Sequence, residues 1–172
     1  MKNLIARALL VVLTILPLSA AAEALKDTKI VVLDFQLHDL TDLPNAPAEL
    51  KRIAFLSSAF KEKLAEKGLQ LVPASEKLQA ELTENSAAYL FDHPKLAAKL
   101  AKDSGADYLV LGLAMKPTYL FVYPRLKLVD LETGEPVLSG YEQLESSAQD
   151  ENTTANTARR LAERITKFIE AR

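Results

Sequence analysis

Residues Ala106 to Leu131 constrain the fold more than any other part of the chain. Asp107 to Met115 is an almost unbroken apolar run (Tyr108, Leu109, Val110, Leu111, Leu113, Ala114). It is short and follows a glycine, Gly105, as a strand buried on both faces should. Lys116-Pro117-Thr118 is a tight connection. Leu120 to Leu131 then alternates, with Val122, Leu126 and Leu128 on one side and Tyr123, Arg125 and Lys127 on the other. A period of two marks a half-buried antiparallel strand with one wet face. Pro124 lacks an amide donor, which predicts a bulge or an edge position there. Glu132 to Glu135 reads as a hairpin turn, with Gly134 supplying positive φ. Val137 to Leu144 returns as the next strand.

The rest of the chain reads as cover and support for this ribbon. Lys29 to Leu37 is a first strand, and His38 to Pro47 is a loop. Ala48 to Lys67 carries Leu50, Ile53, Ala54, Ser57, Phe60 and Leu64 at helical spacing, with Gly68 past its end. Leu69 to Val72 is a short strand closed by Pro73. Ser75 caps the helix that follows, and Pro94 opens another with His93 in the cap position. Ser146 to Asn152 is polar loop. Thr153 to Arg172 is a closing helix with Ala158, Leu161, Ala162, Ile165, Phe168 and Ile169 in one stripe. The order β-α-β-α-α-β-β-β-α predicts an α/β fold with an α+β tendency. It has a mixed sheet of about five strands, with helices packed on it.

Residues 1–22 read as a signal peptide. Lys2 and Arg7 precede the apolar run Ala8 to Leu18, and Ser19 to Ala22 offers small residues for cleavage after Ala22 or after Ala24. Residues 23–172 then form a single periplasmic domain, an extracellular destination being the variant of this reading. Removing Lys2 and Arg7 moves the formal charge from −2 to −4, so a basic nucleic-acid footprint is absent. Zero cysteines exclude disulfide staples, thiol chemistry and lipid attachment at the cleavage site.

Three stretches resemble a known family: Val31-Val32-Leu33-Asp34-Phe35, Gly105 to Gly112, and Asp130-Leu131-Glu132-Thr133-Gly134. They are similar to a family of small secreted or periplasmic bacterial proteins of unknown function. Its genes often neighbour those of quinoprotein alcohol dehydrogenases, and the likeness spans roughly Ile30 to Ile169. More distantly, the chain resembles the amino-terminal domain of the Tol translocation protein and the curli-secretion lipoproteins. That resemblance implies a sheet-and-helix module for assembly contacts at the envelope. Lys116 matches a lysine often seen in the family after this strand. The family's frequent cysteine pair is replaced here by Phe91-Asp92-His93, and its tryptophan by Asn156-Thr157-Ala158.

No catalytic or cofactor-binding residue stands out. A Gly-x-Ser-x-Gly elbow is missing, the five glycines are scattered singly, and only two histidines exist to act as a base. Asp34 reads as a hydrogen-bond acceptor near a strand end, Asp107 as a strand opener and Asp130 as a turn opener. His38, Asp39 and Asp42 follow the first strand, and His93 begins a helix that can point to the same edge. These four are weak metal-ligand candidates, because none has a recognised ligand spacing. The wet strand face is more informative. Tyr119, Phe121, Tyr123, Arg125, Lys127 and Tyr141 are candidate interface residues, since tyrosine and arginine anchor protein contacts. The alternative is that the last helix covers them. The expectation is therefore a non-enzymatic periplasmic binding or adaptor protein whose partner is another envelope protein. The alternative is a small-ligand or metal-binding accessory protein that uses the loop after the first strand.

Overall fold

The computed structural model describes residues 25–42, 44, 46–144 and 150–172. The stretch read above as a signal peptide, and residues 145–149 of the stretch before the last helix, lie outside the described residues. Among the described residues no helix is long and apolar enough to cross a membrane.

The buried run forms β4 (Tyr108–Lys116), which is central in a mixed sheet. Parallel to it on one side lie β1 (Lys29–Val32) and β2 (Gln36–Asp39). β1 also pairs in parallel with β3 (Gln70–Val72). On the other side β5 (Tyr123–Asp130) and β6 (Pro136–Tyr141) follow as an antiparallel ribbon. The order across the sheet is β3-β1-β4-β5-β6, with β2 beside β4, so the expected mixed α/β architecture is the one observed.

The expected first strand is two strands. Val32 pairs with Val110, but Gln36 pairs with Leu113, so three intervening residues on one side face two on the other. This is a one-residue bulge. The Phe35 amide, turned out of the ladder, donates to Ser57 Oγ at 2.9 Å. The Phe35 ring lies over Gly112, where a Cβ would sit 2.8 Å from it. Glycine is needed at position 112 for this close approach. The bulge also carries His38 and Asp39 into strand β2, where the sequence suggests loop.

Two other expectations shift. The half-buried strand begins at Tyr123, and residues 117–122 are a loop that rejoins the sheet through a bridge between Val122 and Leu144. Pro124 is neither bulged nor at an edge: it is buried and pairs with Ala114, and its carbonyl accepts from the Glu142 amide at 2.9 Å. Antiparallel residues direct both backbone groups to the same neighbour, so the missing N–H costs nothing on the β4 side. The irregularity in register lies instead between Leu128 and Val129, next to the turn. That turn is as expected, with Gly134 at φ 74° and Asp130 Oδ1 accepting from the Glu132 and Thr133 amides at 3.0 Å each.

Helices pack on both faces. α1 (Pro47–Glu66) and α5 (Glu151–Glu170) cover one face, over Ile30, Val110, Leu126 and Leu128. α2 (Glu76–Glu84), α3 (Tyr89–Asp92) and α4 (Pro94–Ala101) cover part of the other, over Val31, Leu109, Leu111 and Val129. α2 is capped by Ser75 Oγ, which accepts from the Leu78 amide at 3.3 Å. α5 is capped by Asp150, which accepts from the Thr153 amide at 3.0 Å. Leu50 is not on the inner stripe of α1 but 47% exposed; Glu49 and Arg52 turn inward in its place. Arg52 Nε donates to Thr154 Oγ1 at 3.3 Å and its guanidinium lies 3.7 Å from Glu49, which ties the amino-terminal ends of α1 and α5 together. Burial pushes the Arg52 pKa down, against the opposing pull of Glu49 and Asp150.

Candidate interaction surface

The open part of the sheet is built by strand alternation. On β5, Leu126 and Leu128 enter the core under α1 and α5, so Tyr123, Arg125 and Lys127 emerge on the opposite face. Across the ribbon, Arg125 pairs with Tyr141 and Lys127 with Ser139, which places all of these side chains on one face. The short helices reach this face only at its margin. Phe91 of α3 is buried there, with the Lys127 ammonium 4.3 Å and the Arg125 guanidinium 5.4 Å from its ring centroid. Lys127 Nζ also donates to the Phe91 carbonyl at 2.8 Å. Both are cation–π contacts. Beyond Phe91 no described element covers the face: Arg125 is exposed and Tyr141 is 62% exposed. The last helix does not cover it, because α5 packs on the other side.

The aromatic row continues past the start of β5. Phe121 and Tyr123 are half-buried, with ring centroids 6.3 Å apart. In the loop before them, Tyr119 is 60% and Leu120 71% exposed. Leu40 is also exposed, at the same end of the sheet, and its amide donates to the Lys116 carbonyl at 2.9 Å.

The four metal-ligand candidates do not form a cluster. His38 stands in β2 opposite Met115, and Asp42 is exposed in the following turn. The Asp39 side chain is buried and engaged, accepting from Thr41 N at 3.1 Å, Thr41 Oγ1 at 2.7 Å and Lys116 Nζ at 3.4 Å. His93 lies in the helical layer, its Nδ1 2.8 Å from the Tyr89 carbonyl and its ring tilted against that of Tyr89 with centroids 4.8 Å apart. It occupies the cap position of α4 without capping it. Among the described residues no three His, Asp or Glu side chains come together as a metal site. Asp34 is an exposed surface partner of Lys61 at 2.7 Å.

Two features escape sequence reading. The buried Lys116–Asp39 pair joins the ends of β4 and β2, far apart in the chain, and only the resemblance singles out Lys116. Phe91 as a platform for two cations has no local signature, since it sits in a four-residue helix.

Residues 28–165 match the family model DUF3280, described as protein of unknown function (DUF2380). The chain belongs to this family. No curated protein matches the DUF3280 chain. Among solved structures it is similar to the hypothetical protein CT253 from Chlamydia trachomatis, at 13% identity and TM-score 0.53, over 85% of this chain and 100% of that one. It is also similar to lipoprotein GNA1162 from Neisseria meningitidis, at 16% identity and TM-score 0.50, over 83% and 96%. The C-terminal domain of LpoB from Salmonella enterica matches at 19% identity and TM-score 0.48, over 69% and 83%. What the first two share with this DUF3280 member is the fold.

Proposed function

We propose that this chain is a non-enzymatic binding or adaptor protein of the bacterial envelope. Its contact surface is the uncovered β5–β6 face together with residues 119–121. The observation that carries this reading is the row Tyr123, Arg125 and Tyr141, which the helices leave open beside the Phe91 platform. Such a face combines rigid aromatic area with a guanidinium, the side chains that dominate protein interfaces. The amino-terminal segment, read as a signal peptide, supports a periplasmic partner, and GNA1162, which shares the fold, is a lipoprotein. This chain has no cysteine for a lipid anchor of its own. We further propose that the partner belongs to an envelope complex or a periplasmic dehydrogenase system. The small-ligand alternative at the end of β2 draws less support, because the Asp39 carboxylate is already engaged by Thr41 and Lys116.

The test is recovery of partners from periplasmic extract with the wild-type chain and with Tyr123→Ala/Arg125→Ala. A partner held by the first and lost by the second is expected. Identical recoveries would remove the proposal.

A further inference from the structure

We infer that the partner presents an extended acidic segment, which adds as a strand to the free edge of β6 and sets its carboxylates against Arg125 and Lys127. This rests on the reading of the β5–β6 face as an interface and adds the partner's chemistry to it. Two independent observations lead here.

The first is the backbone of β6. Among the described residues it pairs with β5 alone and closes the sheet on that side. The amides of Glu142 and Leu144 donate to the Pro124 and Val122 carbonyls, at 2.9 and 2.8 Å. Backbone groups alternate in direction along an antiparallel strand, so those of Ser139 and Tyr141 point away from β5. An unpaired edge is a template for an incoming strand. On the other face the edge is blocked. Arg164 crosses Gly140, its Cδ 3.2 Å from where a Cβ would stand, and reaches Glu142 at 2.7 Å. An added strand therefore keeps its recognition side chains on the open face.

The second is charge. The chain carries an excess of acidic over basic groups, yet among the described residues Arg125 and Lys127 have no carboxylate partner. Their charges rest on the Phe91 ring and carbonyl. Glu142, on the neighbouring strand end, projects to the other face, where it pairs with Arg160 and Arg164. Strands lie about 4.8 Å apart. Two strands from β5, a glutamate over the small Ser139 is within reach of both cations.

The experiment is an NMR titration of the isotope-labelled protein with a synthetic peptide of alternating Glu and Val, against the same peptide with Lys for Glu. The acidic peptide should shift the Ser139 and Tyr141 amides. Its affinity should fall about tenfold or more on adding salt, as exposed charge pairs are screened. Arg125→Gln/Lys127→Gln, with an otherwise unchanged spectrum, should abolish the shifts. Absence of shifts, shifts mapping elsewhere, or equal binding of both peptides overturns the acidic-strand assignment. If the acidic peptide is ignored while Tyr123→Ala/Arg125→Ala still loses its partner, the interface reading survives and only the partner's chemistry is wrong. If partner recovery is also unchanged, both fall.

Discussion

The two faces of one sheet are finished differently. α1 and α5, at 20 residues each, are long enough to run the full length of the strands. α2, α3 and α4 have nine, four and eight residues. At about 1.5 Å per residue a 20-residue helix spans about 30 Å and an eight-residue helix about 12 Å. The long pair buries most of its face, leaving Leu71 exposed at the β3 edge; among the described residues the short trio stops at Phe91 and leaves Arg125 and Tyr141 bare beyond it. The strand sequences agree with the cover each face receives. Leu126 and Leu128 face the long helices, and Arg125 and Lys127 face the gap. The closed face thus serves stability, and the open half-face is the one left for the proposed contact.

The sharpest test of that division is in the closed face. Phe60 is fully buried and meets Phe35 edge-on at 5.5 Å. Phe60→Ala should cost about 3–5 kcal/mol in urea unfolding. A loss near zero would mean that this face is not the core. At the sheet's carboxyl end, Asp39→Ala strands a Lys116 ammonium whose side chain is 6% exposed. Removing one member of a buried pair costs about 3 kcal/mol, and Asp39→Leu/Lys116→Met should regain most of it. Gly112→Ala drives a methyl into the Phe35 ring and should cost about 1–3 kcal/mol. Phe35→Leu in the same chain should relieve part of that loss, and additive costs in a double-mutant cycle would refute the steric account.

Smaller effects belong to the turn and the open face. The Thr133 amide, followed by the Thr133 hydroxyl, the Glu132 amide and Arg172, holds the Asp130 carboxyl below its ordinary value against the upward push of burial. A depressed folded-state value stabilises the fold above the unfolded value, about 3.9, and that share is lost as pH falls further. Asp130→Asn should therefore lower stability most at neutral pH and converge with the parent chain at low pH, which flattens the acid side of the stability–pH curve. Arg125→Gln and Tyr141→Ser should each change stability by less than about 0.5 kcal/mol, as exposed positions do. A large loss at either would reassign the open face to structure.

Much of this was legible in the chain because it is local. Strand alternation over Tyr123 to Leu128, the glycine in the turn, the Ser75 cap and the stripe of α5 are each decided by neighbours a few residues away. What escaped depends on distant partners. The bulge at Leu33 to Phe35 is set by Gly112 and Ser57, and it moved His38 and Asp39 from loop to strand. The inward turn of Glu49 and Arg52 is set by Thr154 on the last helix. The candidate contact residues Tyr123, Arg125, Lys127 and Tyr141 were readable because alternation put them on one face. The Phe91 platform was not, because no periodicity marks a four-residue helix.

The central claim is that contact is made through the open half-face and not through the closed one. A photo-crosslinking residue placed at Tyr141, and separately at Glu62 on the outer side of α1, compares the two in the cell. The account predicts a discrete adduct from position 141 and none from position 62. Adducts of equal yield from both, or from position 62 alone, would contradict it.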